Sequence, residues 1–163
     1  MSTLIILIVL FTLLWVVNAY IINGYLSNGQ MGRISLSLML LFTGAAHFYK
    51  TFEMVQMMPE FLPNKTTLVY ITGVLEILGA VGLLIERTVK LTSIALILFF
   101  LAVLPANIIG SIKQVQLGGM ENGPAYLYFR IPFQFLLIWW TYYFGIRLKR
   151  NPPNNMSTSH SHA

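Results

Sequence analysis

With 163 residues, 56% of them hydrophobic and 9% charged, the chain cannot coat a water-facing surface. Average soluble domains are about 45–50% apolar and about 25% charged, so the bilayer is the natural solvent here. The acidic residues are all glutamates (Glu53, Glu60, Glu76, Glu86 and Glu121), and the net charge of +5 comes from scattered Lys and Arg, which reads as membrane-edge anchoring and not as a nucleic-acid footprint. Cysteine is absent, which removes disulfides, thiolate nucleophiles, Cys-ligated metals and thiol–disulfide relays.

Five apolar stretches stand between polar punctuation. The first runs from Leu4 to about Ile22, broken only by Thr12 and Asn18. Val17 and Ala19 have the small-residue pattern of a signal-peptide cleavage site, yet no Lys or Arg precedes the run, so a retained helix is expected. The second stretch, Ile34 to Tyr49, is bracketed by Arg33 and Lys50; the third, Thr66 to Ile85, lies between Lys65 and Glu86/Arg87. The fourth, Leu91 to Ile112, lies between Lys90 and Lys113, and the last, Ala125 to Ile146, ends at Arg147, Lys149 and Arg150. A spanning helix needs about 20 residues, so only the second is short. The pattern predicts an all-α, polytopic membrane helix bundle with almost no soluble part.

With five spans, Arg33, Arg87, Lys90, Arg147, Lys149 and Arg150 share one side, and Lys50, Lys65 and Lys113 the other. The positive-inside rule then places the N-terminus outside and the C-terminus in the cytoplasm. The connection from Phe52 to Asn64 is rich in Met and Phe and is stopped by Pro59 and Pro63, as in a short amphipathic piece capping the bundle. Its Met54, Met57 and Met58 have no His or Cys beside them, so apolar packing is expected rather than copper binding. Residues 149–163 form a Pro-, Asn- and Ser-rich cytoplasmic tail, expected to be disordered, in which His160 and His162 are read as solvated. No metal site is expected.

The informative residues are those that hydropathy disfavours. His47, Glu76, Asn107 and Arg130 with Gln134 lie on four separate predicted helices. An ionisable group mid-membrane costs about 2.5–3.5 kcal/mol on insertion scales, so such residues face a protein interior or a wet cavity. At about 1.5 Å per residue, His47 lies about 5 Å below the outer edge and Asn107 and Arg130 about 9 Å, with Gln134 and Glu76 about 15 Å and 16 Å deep. All therefore fall in one leaflet or at the midplane. Tyr126, Arg130, Gln134 and Thr141 form one polar stripe on the last helix, and Thr43 sits one turn from His47. The expectation is a Glu76–Arg130 charge pair ringed by His47, Asn107 and Gln134, with Thr43 and Tyr126 in support. Such a layer binds a ligand or handles a proton; as packing glue, it would fix helix register through interhelical hydrogen bonds. Gly73, Gly79, Ala80 and Gly82 would let the third helix pack closely, and Pro105 and Pro132 free the carbonyls of Leu101 and Tyr128.

One ordered pattern carries a family resemblance. Phe42-Thr43-Gly44 with His47-Phe48 is followed by Met58-Pro59 and Leu62-Pro63. Thr72-Gly73 with Glu76-Ile77 and Gly82-Leu83-Leu84 comes next, then Pro105-Ala106-Asn107-Ile108, and finally Arg130, Pro132 and Gln134. Over about residues 33–146 this resembles the DoxX-like membrane proteins. The resemblance implies a four-helix core at 31–148, to which residues 1–30 add an N-terminal transmembrane helix and loop, in a bacterial inner membrane. It further implies a membrane subunit or accessory protein of a redox system, in which the polar layer binds a quinone between aromatic walls (Phe48, Tyr49, Tyr126, Tyr128, Phe129). The chain has no haem-ligand pair, flavin motif or metal cluster, so electrons would come from a protein partner in a membrane complex. Family members that handle thiols are poor guides, because this chain has no cysteine. Competing readings are a non-catalytic assembly scaffold and a small-solute carrier, the latter disfavoured by the lack of an inverted repeat.

Overall fold

The computed structural model describes residues 2–21 and 23–148. The predicted tail, with His160 and His162, lies outside these residues. The described chain is all-helical: α1 Ser2–Tyr20, α2 Asn28–Tyr49, α3 Thr51–Met57, α4 Lys65–Leu84, α5 Val89–Ile112 and α6 Leu127–Tyr142. A 3₁₀ segment, Met120–Tyr126, leads into α6, and a π-helical turn, Tyr143–Arg147, continues it. Helices α1, α2, α4 and α5 are each long and apolar enough to cross a membrane. The regular part of α6 is shorter, 16 residues, and reaches the fifth predicted boundary only through the π turn.

Local chemistry explains where the helices depart from hydropathy. Helix α2 starts at Asn28, well before Ile34, because Ser27 and Gln30 form a capping box. The Gln30 N–H donates to Ser27 Oγ at 3.2 Å and the Ser27 N–H to Gln30 Oε1 at 2.9 Å. Two orphan donors of the first turn are thereby satisfied, so a polar first turn costs little. The break before the 3₁₀ segment falls at Gly118 and Gly119, whose φ values of 64° and 108° suit glycine best.

Helices α2, α4, α5 and α6 enclose the interior. Helix α2 lies along α4, α5 bridges α4 and α6, and α1 lies along α2. Leu7 of α1 is fully buried, and Phe11 meets Trp140 edge-on at 5.1 Å, so α1 covers the seam between α2 and the end of α6. The core beneath includes Leu36, Met39, Leu40, Leu83, Phe133 and Leu137. Large side chains such as Leu78, Leu91 and Leu98 point outward from all sides, as suits helices solvated by lipid. Arg33 pairs with Glu86 at 3.3 Å at one end of the bundle, while Lys50–Glu53 (3.0 Å) and Lys113–Glu60 (3.1 Å) lie at the other. The Lys113 ammonium beside Glu60 holds its carboxyl below its ordinary value, so this exposed latch is present near neutrality and fades only on acidification through that lowered value.

Lipid tails are as apolar as Leu, so helix association depends on close packing at small residues. The predicted glycines of α4 serve that purpose. A Cβ on Gly79 would lie 2.7 Å from Leu96 Cδ2, and one on Gly82 would collide with Thr92 Oγ1. Gly32 lies flat against the Phe144 ring, and its carbonyl accepts from Trp140 Nε1 at 3.0 Å. Gly32→Ala is therefore expected to lower stability by about 1–3 kcal/mol through overpacking. Adding Phe144→Leu should recover part of that loss. Thermal unfolding in detergent of the two single variants and the double variant checks this; an unshifted midpoint in Gly32→Ala would refute the contact.

Candidate functional site

The site begins with two glycines. On α2 and α4 the sequence repeats one spacing, glycine followed three residues later by an ionisable group: Gly44 and His47, Gly73 and Glu76. Residues three apart share a helix face, so the closest backbone approach and the polar group lie on the same side. A Cβ on Gly44 would lie 3.1 Å from the Gly73 carbonyl oxygen, and one on Gly73 would lie 2.6 Å from His47 Cβ. The two helices touch here, and the contact delivers His47 to Glu76, with Nε2 3.7 Å from Oε1. Ser37 extends the same seam, donating to the Ala80 carbonyl at 2.8 Å.

The other ring nitrogen of His47 is also fixed. Nδ1 lies 3.0 Å from the Val69 carbonyl oxygen, which can only accept. Nδ1 therefore carries the hydrogen, an assignment from the network. Thr72 Oγ1, 3.1 Å from Nδ1, sends its own hydrogen to the Val69 and Leu68 carbonyls. In the neutral ring, Nε2 is then a bare acceptor facing a carboxylate.

Across the bundle, α5 and α6 make the second half. Arg130 Nη2 donates to Asn107 Oδ1 at 2.9 Å, and the guanidinium stands over the Phe133 ring at 5.7 Å. Gln134 Nε2 donates to the Phe100 carbonyl at 2.6 Å. That carbonyl neighbours Leu101, whose oxygen Pro105 deprives of its helical partner. The expected charge pair is not formed: Glu76 faces His47, and no carboxylate of the described residues lies within ion-pairing distance of Arg130. The glycine contact brings His47 to Glu76 first, and Asn107 on the adjacent helix takes Arg130.

These halves line one cavity of about 430 Å³. His47, Glu76, Asn107, Arg130 and Gln134 all border it, as do Thr43 and Tyr126. Glu76, Asn107 and Gln134 are 9%, 4% and 2% exposed, respectively. Three buried polar atoms on this lining have no protein partner: Glu76 Oε2, Arg130 Nε and Gln134 Oε1. Thr141, the last member of the predicted stripe, is not on the lining and donates to its own Leu137 carbonyl.

The aromatic walls differ from expectation. Of the five rings named, only Tyr126 borders the cavity; Phe48, Tyr49 and Tyr128 are exposed, the last at 88%. Phe42, Phe100 and Phe133 stand there instead. The methionines of the 52–64 connection form the remaining cover. Met57 packs with Val115, Met120 and Tyr126, and Met54 and Met58 also reach the cavity. Their apolar role was legible in the sequence, but not that they close the polar layer's mouth.

With this geometry in hand, the chain can be placed among known proteins. It belongs to the DUF8561 family, described as a domain of unknown function, which matches residues 36–145. The match starts within α2 and ends in the turn after α6, so α1 lies outside it. No curated protein and no solved structure matches the chain.

The Arg130–Asn107 bond generates a prediction about sign. Asn107→Leu leaves a buried guanidinium without its acceptor and should cost about 1.5–3 kcal/mol, the worth of a hydrogen bond to a charged group. Asn107→Leu combined with Arg130→Met should cost less than Asn107→Leu alone, because no charge remains to be desolvated. Unfolding in detergent micelles measures both; a double variant weaker than the single would contradict the buried pairing.

Proposed function

We propose that this protein binds a small lipophilic molecule with hydrogen-bonding oxygens inside the membrane, a quinone being the class that suits the site. In this reading it is a DoxX-like membrane subunit or accessory protein of a quinone-linked redox system, and a protein partner supplies the electrons. One observation carries the proposal: polar residues from α2, α4, α5, α6 and the 3₁₀ segment border a single cavity, and three of them, Glu76, Arg130 and Gln134, hold buried polar atoms without protein partners. The volume falls within the range of about 300–1,000 Å³ typical of small-molecule sites. Apolar walls with a few convergent polar groups are the usual make-up of such sites. A quinone needs a donor at a carbonyl oxygen, which Arg130 supplies, and a proton route, for which His47 and Glu76 are suited.

The DoxX-like resemblance suggests a bacterial inner membrane, and the distribution of Lys and Arg supports an outside N-terminus, which would put the cavity in the outer half of the bilayer. Two observations favour an assembly scaffold instead. The Arg130–Asn107 and Gln134–Phe100 bonds both tie α6 to α5, which is what packing glue does.

Purification in mild detergent, followed by mass spectrometry of bound small molecules and proteins, separates the readings. A lipophilic oxygen-bearing molecule should copurify with the wild-type chain. Its occupancy should drop by about tenfold or more in Arg130→Met, the loss expected for one charge-assisted hydrogen bond, and should also fall in Glu76→Gln. If both variants kept every ligand the wild type holds, the polar layer would be glue and the proposal wrong.

A further inference from the structure

The electrostatics of the cavity narrow the occupant further. Its lining carries few charges, and each can be placed. From α2 comes His47, from the junction of α2 and α3 Lys50, from α4 Glu76 and from α6 Arg130; the polar residue of α5 is neutral Asn107, and that of α1 neutral Thr3. Lys50 is cancelled at the mouth by Glu53 of α3, 3.0 Å away. Tyr126 is neutral, with Glu121 exposed beyond it. What remains inside is one fixed cation, Arg130, and the pair His47–Glu76.

That pair has room for one proton. Nδ1 of His47 spends its hydrogen on the Val69 carbonyl, so Nε2 and Glu76 Oε1 are two acceptors facing each other at 3.7 Å. With the pair deprotonated, the carboxylate and Arg130 balance and the cavity is neutral. With the pair protonated, Arg130 is left uncompensated in a low-dielectric interior, which is unfavourable unless an anion sits beside it. Protonation of the pair and anion binding at Arg130 therefore stabilise each other, a reciprocal linkage.

Taking the cavity as a ligand site, as proposed above, we propose that it binds the anion of a lipophilic acid, either a carboxylate or an ionised phenol or enol, together with one proton. The acid's oxygen, with the electron pair of its O–H bond, lies against Arg130, whose Nε has no protein partner, and the proton resides between His47 Nε2 and Glu76. Charge and atoms balance: one acid enters, its O–H bond breaks, and the cavity stays neutral overall. Apolar walls from Phe42, Met54 and Met57 hold the tail.

The test uses the full-length chain in lipid nanodiscs, titrated calorimetrically with dodecanoate and with a hydroxynaphthoquinone. The neutral controls are methyl dodecanoate and the methoxy ether of the same quinone, and heats from empty nanodiscs are subtracted. Two buffers of different ionisation enthalpy report proton uptake. Each anion that binds should take up about one proton, and its affinity should fall about tenfold per pH unit on raising the pH while the acid is ionised in solution. The neutral derivatives should bind at least about tenfold more weakly. In Glu76→Gln whatever anion binding remains should show uptake near zero and little pH dependence. Binding by only one of the two acids supports the proposal and identifies the oxygen's source. Equal binding of acid and neutral derivative, or no uptake by the wild type, overturns it, as does uptake unchanged in Glu76→Gln. Neutral quinone bound without either acid overturns this inference and leaves the quinone reading standing; no binding by any probe overturns both.

Discussion

Everything at the polar centre depends on how closely two backbones approach. Gly44 and Gly73 let α2 and α4 meet at a distance that any larger residue would forbid, with a would-be Cβ 2.6 Å from His47. In lipid, where no hydrophobic force pushes helices together, such contact is itself the source of association. Because each glycine is followed three residues on by a titratable group, the contact that stabilises the bundle also places imidazole beside carboxylate. The small-residue seam and the chemistry are not separable features here.

The other half of the centre is organised by hydrogen bonding. Asn107 holds Arg130, and Gln134 fastens α6 to a carbonyl beside the proline-interrupted turn of α5. The guanidinium thus stands across the cavity from the His47–Glu76 pair with no carboxylate of its own. A direct ion pair would have consumed both charges. Separate partners leave each charge with unspent bonding capacity, in a setting where an unsatisfied polar atom is costly. This division of charge, and not the presence of charged residues as such, is what the proposed binding role rests on.

Much of this was legible in the sequence because membrane spans announce themselves. Five apolar stretches, their basic borders and the shared depth of His47, Glu76, Asn107, Arg130 and Gln134 follow from hydropathy and rise per residue alone. All five line one cavity. Pairing was not legible. Charge complementarity suggested Glu76 with Arg130, but which helices are neighbours is decided by glycines whose effect is visible only once the helices are packed. The rings were misread for a similar reason: Tyr128 and Phe48 look like walls in sequence, yet helical phase turns them outward and brings Phe100 and Phe133 inward. The early start of α2 was hidden because a capping box is a local hydrogen-bond device that hydropathy does not register.

The methionine cover has a consequence of its own. Met54, Met57, Met58 and Met120 meet at the cavity mouth, and an unbranched thioether reshapes itself around what it touches at little cost. A surface of that kind cannot reject a ligand for the wrong chain length or branching. The rigid groups of the lining are different ones: an imidazole held at the Val69 carbonyl, a tethered guanidinium and a tethered amide. For the proposed ligand, recognition would therefore be divided between the two parts of the lining, strict at the oxygen-bearing head and permissive along the tail, so that one site could accept a homologous series of molecules sharing a single polar group.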